Sequence, residues 1–167
     1  MTRARWMLGA AGALATMALG AALPASAAPA PDAITEITNA IDRTSWDGSY
    51  RYGPVRATQF SPGATNKWIL TPKYDGSVTI QNVETRLCAQ PEAFVPGAEV
   101  VTAPCNFSDV QDWRVQQRPE GTVLSPEIAP ELAASVYEIG LPGSPVVLKH
   151  NRTFDPDRSS IFTISPF

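Results

Sequence analysis

The chain has 167 residues, a formal net charge of −3, two cysteines and one histidine. It has no run of Lys or Arg, so it lacks the clustered cations that bind a phosphate backbone, and a nucleic-acid partner is excluded. A single histidine likewise excludes a multi-histidine metal centre or a pair of catalytic imidazoles, and no motif points to a cofactor.

Residues 1–27 read as a cleaved export signal. Arg3 and Arg5 form a positive start, an uncharged Ala- and Gly-rich stretch follows, and Ala25-Ser26-Ala27 supplies the small residues at which signal peptidase cuts. The rival reading, a membrane anchor, suits the sequence less well because the apolar run is barely long enough to span a bilayer. Secretion is therefore expected, with no membrane span left after cleavage. Loss of Arg3 and Arg5 would make the mature chain more acidic.

Residues 28–44 read as an N-terminal leader. Within "PDAITEITNAID", Ile34, Ile37 and Ile41 recur at helical spacing, which predicts a short helix. In "SWDGSYRYGP" the rings Trp46, Tyr50 and Tyr52 fall on even positions, so on a strand they share one face. Two uses stay open for these rings: filling the core of a first lobe, or forming an exposed stacking surface. From there to the end, short apolar runs alternate with scattered Pro and Gly, the pattern of an all-β domain rich in turns.

An internal repeat organises this region. "WILTPKYDGSV" (68–78) aligns without a gap on "WRVQQRPEGTV" (113–123). "PGAEVVTAPCN" (96–106) matches "PGSPVVLKHN" (142–151), and "SSIFTI" (159–164) falls on "VQDWRV" (110–115). Trp68 and Leu70, Trp113 and Val115, Phe162 and Ile164 are each two apart, so each pair points to one side of its strand. No such unit buries its own apolar face, which predicts three units closing on one another around a shared core. The first unit is degenerate: too few residues precede Trp68 for a full alignment.

The stretch "LCAQPEAFVPGAEVVTAPCNFSDVQDW" (87–113) resembles a ricin-type β-trefoil lectin repeat, with a cysteine, a loop, a second cysteine and a closing Gln-x-Trp. The resemblance covers 45–167 and implies an all-β trefoil there. "WILTPKYDGSVTIQNVETRLCAQ" followed by "VVTAPC" is also similar to the ricin-like subunits of cytolethal distending toxins. Both cysteines lie in the exported part; two buried thiols are one option, and the resemblance implies the other, a Cys88–Cys105 disulfide. It also implies that Gln111 and Trp113 anchor the middle unit, with Asn66-Lys67-Trp68 and Ser160-Ile161-Phe162 as eroded versions.

An active lectin repeat presents an Asp, an aromatic ring and an Asn to its sugar. In the middle unit those places fall on Gln90, Ala103 and Val110, and in the third on Val136, Lys149 and Ser159. The usual galactose pockets are thus expected to be eroded in both. Ligand binding is then expected at the rings of Trp46, Tyr50 and Tyr52, with Gln90 able to bond a hydroxyl.

Catalysis finds no support. His150 is the only histidine and occupies a loop slot, and "DPDRS" (155–159) is a turn rather than a calcium loop. Asn106-Phe107-Ser108 and Asn151-Arg152-Thr153 fit the glycosylation sequon but read as ordinary loop residues. The expected protein is a secreted, non-enzymatic, lectin-like β-trefoil that binds an extracellular or cell-surface glycan, alone or as the cell-binding subunit of a toxin-like assembly. The alternative is a secreted β-trefoil protease inhibitor, with "PEIAPELAAS" (126–135) or "NRTFDPDRSS" (151–160) as its reactive loop.

Overall fold

The computed structural model describes residues 33–61, 63–152 and 157–166. The expected export signal lies outside them. No α-helix occurs among the described residues. The strands, in chain order, are β1 (Ile34–Asn39), β2 (Ser45–Asp47), β3 (Arg56–Thr58), β4 (Trp68–Pro72), β5 (Val78–Asn82) and β6 (Leu87–Pro91). They continue with β7 (Val100–Pro104), β8 (Asp112–Arg118), β9 (Gly121–Pro126), β10 (Leu132–Val136), β11 (Ser144–His150) and β12 (Phe162–Pro166).

Six of these close a barrel, because β1 pairs with β12 and β4, β4 with β5, β5 with β8, β8 with β9, and β9 with β12. The other six form the hairpins β2–β3, β6–β7 and β10–β11. Each unit is therefore barrel strand, hairpin, barrel strand. The three units run through β1–β4, β5–β8 and β9–β12, and the all-β trefoil expected from the repeats is the observed architecture.

The hairpins meet at three contacts: Pro54 bridges Val101, Glu99 bridges Val147, and Pro145 pairs with Arg56. In each contact a residue one place before a valine in one unit meets a residue one place after a valine in the next. Val55, Val100 and Val146 are thus equivalent, and the arrangement is cyclic. All three are fully buried.

The core matches the repeat-derived expectation and adds one residue at its centre. Trp68, Trp113 and Phe162 are fully buried, as is Gln111. Between the three rings stands Trp46, edge-on to Trp68 at 6.1 Å, Trp113 at 6.2 Å and Phe162 at 5.6 Å. The Trp68 indole donates to the Trp46 carbonyl and the Trp113 indole to the Ala89 carbonyl, both at 2.9 Å. Trp46 and Ala89 therefore hold equivalent places, and the hairpin register makes Ala134, opposite Leu148, the third. One indole and two methyl groups share the space where the units converge, because three large rings cannot occupy it together.

Three expectations are corrected here. Residues 34–39 form strand β1 instead of a helix. Thr35, Ile37 and Asn39 alternate inward, and this period-two face pairs with β12 and β4. The Ile34–Ile37–Ile41 spacing coincides with a helical period, but the backbone groups of this segment are bonded across the barrel, so the sheet decides. The trefoil accordingly begins at Ile34 rather than at residue 45, and the first unit has its full complement of strands, though β2 and β3 are only three residues long. Half of the candidate inhibitor loop at 126–135 is strand: Pro126 ends β9 and 132–135 lie in the fully buried β10, which leaves only the short turn 127–131 between them. Of the other candidate, 151–160, residues 153–156 lie outside the described ones, and Ser159 and Ser160 are buried in a 3₁₀ turn.

Cys88 and Cys105 are joined in a disulfide that ties the start of β6 to the loop after β7.

Candidate functional site

Because the hairpins are related cyclically, each unit has an equivalent place between its first hairpin strand and the tip of a neighbouring hairpin, and clefts open there in the first and third units. The place next to Trp46, Ala89 and Ala134 is the place at which a lectin repeat carries its Asp. It is held by Asp47 in the first unit, Gln90 in the second and Ser135 in the third. The third counterpart is thus Ser135, one residue before the expected Val136, which instead points into the core.

The first cleft is the best equipped. It has a volume of about 330 Å3 and is lined by Asp47, Tyr50, Arg56, Thr58, Phe60 and Gly143, among others. Asp47 accepts hydrogen bonds from the Ser49 N–H at 2.9 Å and the Thr65 hydroxyl at 2.7 Å. Burial pushes the Asp47 carboxyl up, but bonds from Ser49, Ser61 and Thr65 outweigh it and hold the group below its ordinary value. It is therefore an ionised acceptor at neutral pH, buried on the cleft floor and already bonded to Ser49, Ser61 and Thr65, so a sugar hydroxyl would bond to it in place of one of these donors. Thr65 precedes Asn66-Lys67-Trp68, so it stands where the lectin repeat has its Asn. Arg56 donates to the Gly143 carbonyl at 3.1 Å and lies 5.8 Å from the centre of the Tyr50 ring. Tyr50 and Phe60, 57% and 85% exposed, flank the opening.

These features give the cleft an acid, hydroxyls, a guanidinium and two rings. A saccharide needs that set: polar groups for its hydroxyls and a flat apolar surface for its C–H face.

At the equivalent place in the second unit Gln90 has a structural partner. The buried Gln111 donates from Nε2 to Gln90 Oε1 and to the Pro104 carbonyl, both at 2.9 Å, and accepts from the Asn106 N–H at 3.0 Å. Gln90 thus links the Gln-x-Trp anchor to β6, and Ala103 and Val110 add no polar group. Tyr52 stands over this unit. Counted back from Val55, it is the counterpart of Gly97 and Gly143 at the tips of the other hairpins. Those glycines have φ of 90° and 83°, and Tyr52 adopts 59°. Gly97 and Gly143 donate to the carbonyls of Leu148 and Ala57, while Tyr52 donates to the Thr102 hydroxyl at 3.1 Å. Its ring is 64% exposed, with the Arg51 guanidinium 5.8 Å from its centre.

The expected row of Trp46, Tyr50 and Tyr52 is accordingly not one face. Trp46 is in the core, and the strand ends at Asp47, so the even-position rule lapses before Tyr50. Tyr50 and Tyr52 are exposed, but Tyr50 lines the first cleft while Tyr52 stands over the second unit. Asp47, Arg56 and Phe60 were missed because the first unit could not be aligned. The signal was Pro54-Val55, a shortened relic of the "VV" strands, which fixes the register of everything before it.

No family model matches the sequence, and none of the curated proteins does. Solved structures do. The Rhizoctonia solani agglutinin superposes with a TM-score of 0.73 at 15% identity, covering 85% of this chain and 100% of its own. A Macrolepiota procera ricin B-like lectin, solved in complex with lactose, gives 0.70 at 16% identity, covering 84% and 99%. A mosquitocidal holotoxin gives 0.72 at 18% identity over 83% of this chain and 18% of its own. These likenesses assign the fold as a β-trefoil, the fold of these ricin B-like lectins.

Proposed function

We propose that the protein is a secreted, non-enzymatic glycan-binding β-trefoil whose first cleft takes a neutral saccharide. Asp47 accepts sugar hydroxyls there, Arg56 and Thr58 supply donors, and Tyr50 or Phe60 stacks on the apolar face of the ring. The observation that carries this reading is the position of Asp47: an ionised carboxylate on the cleft floor, at the place equivalent to Gln90 and Ser135, bonded to Thr65. Secretion is supported by the signal-like residues 1–27. A role as the cell-binding part of a larger, toxin-like assembly is supported by the likeness to one segment of the holotoxin.

The test is a glycan array followed by calorimetry on the binding neutral oligosaccharide. Asp47→Ala and Tyr50→Ala should each weaken binding about tenfold or more, the equivalent of losing one charge-assisted bond or one stacked ring. Melting temperatures identify any variant that is merely misfolded. Undiminished binding in a well-folded Tyr50→Ala protein, together with undiminished binding in Asp47→Ala, removes the first cleft from consideration.

A further inference from the structure

We infer that the cleft of the third unit is a second binding site and that its ligand is an anionic saccharide, carboxylated or sulfated. At about 590 Å3 it is roomier than the first cleft, and it occupies the equivalent place. Gly97 stands where the first cleft has Gly143, Tyr137 where it has Ser49, Val147 where it has Arg56, and Lys149 where it has Thr58. The frame is the same, but the balanced pair of Asp47 and Arg56 in the first cleft gives way to an excess of cations. The floor acid has become Ser135, whose hydroxyl turns away to the Ala133 carbonyl, and a lysine has entered the wall.

Lys149 is held in place rather than waving in solvent. Its ammonium donates to the Ser159 hydroxyl at 3.0 Å and to the carbonyls of Val136 and Tyr137 at 3.3 and 3.4 Å, and it lies 3.5 Å from Asp157. Arg152 and Arg158 line the same cleft with His150. Among the described residues neither arginine forms a salt bridge. Among the described residues, three cationic side chains thus line the cleft with one carboxylate, Asp157, in a chain whose net charge is −3. Guanidinium forks and a fixed ammonium recognise carboxylate or sulfate oxygens. Tyr137, 61% exposed, offers the sugar ring a stacking surface at the lip. A neutral sugar gains nothing from these cations, whereas an acidic one supplies the missing counter-charge. The inference rests on the glycan-binding reading of the fold but not on the first cleft.

Calorimetry with lactose, a uronic-acid disaccharide, a sulfated disaccharide and inorganic sulfate tests it, at low and at physiological ionic strength. At least one of the acidic disaccharides should bind the parent, more weakly as salt rises. That affinity should fall about tenfold or more in Arg152→Gln/Arg158→Gln and in Lys149→Met, and stay unchanged in Asp47→Ala. The arginine pair keeps the test decisive should loss of the Lys149 bonds unfold the protein. Binding of only one acidic disaccharide supports the site and names its anion. Acidic binding that survives the arginine changes, or that disappears with Asp47→Ala, overturns the proposal. So does inorganic sulfate binding as tightly as either sugar, which would make this a simple anion site. Lactose binding without acidic binding overturns it alone, and no binding by any saccharide overturns the glycan reading with it.

Discussion

Tyr52 shows how much a single backbone angle can say. At the equivalent hairpin tips the chain uses Gly97 and Gly143, for which a left-handed conformation carries no Cβ penalty. A tyrosine there costs about 1–2 kcal/mol, and its exposed ring recovers little of that by burial. Strain of this kind concentrates where function holds it. Tyr52→Gly is therefore expected to raise stability by up to about 1 kcal/mol, the relief being partly offset by the freer unfolded chain, and to weaken binding of any oligosaccharide that reaches the second unit. Urea unfolding measures the first effect. A loss of stability of similar size would show that the ring is a packing residue, and the functional reading of Tyr52 would fall. Trp46 teaches the opposite lesson: a ring that alternation placed beside Tyr50 and Tyr52 is instead the hub on which the three units close.

At the scale of elements, the barrel is only as secure as its seams. β9 and β12 share one register pair, Thr122 with Phe162, and Gly121 lies beside it. A Cβ on Gly121 would lie 2.7 Å from Ile161 Cγ2 and 2.9 Å from the Phe162 carbonyl oxygen, and its φ is 142°. Both the clash and the angle forbid a side chain. Gly121→Ala should cost about 2 kcal/mol or more, visible as a lower denaturation midpoint with an unchanged slope. An unaffected midpoint would mean that this seam opens without penalty. The aligned repeats put Gly121 over Gly76, but the approach of Ile161 and Phe162 belongs to the closure of the third unit.

For the whole molecule, hydrogen-bonded carboxylates shape the response to acid. Burial raises the pKa of Asp42, Asp47 and Asp157, yet in each case hydrogen bonds outweigh it: from Gly140 and Thr44 to Asp42, from Ser49, Ser61 and Thr65 to Asp47, and from Ser159 to Asp157, where Lys149 adds its charge. All three folded-state values end below the ordinary one. Their contribution to stability is thus complete above the unfolded carboxyl range, about pH 4, and is lost as pH falls through the depressed folded values. These groups should leave the melting temperature flat between about pH 5 and 7, with a decline beginning below about pH 4. Asp47→Asn should shrink that decline. A parent whose melting temperature instead rises on acidification would contradict these assignments.

The sequence by itself determined the all-β class, the number of units, and the closing rings Trp68, Trp113 and Phe162. These are legible because each is a local pattern repeated at a fixed spacing, and repetition separates signal from accident. The lectin-repeat resemblance carried by 87–113 added the buried Gln111 and the Cys88–Cys105 pairing. Only the tertiary structure decided that 34–39 is a barrel strand, because its partners lie in β4 and β12, far along the chain. It alone put Trp46 on the shared axis, tied Gln90 to Gln111, and placed Asp47 and Lys149 in equivalent clefts. Those facts depend on contacts between units, and a spacing along one unit does not record which residue of the next will face it.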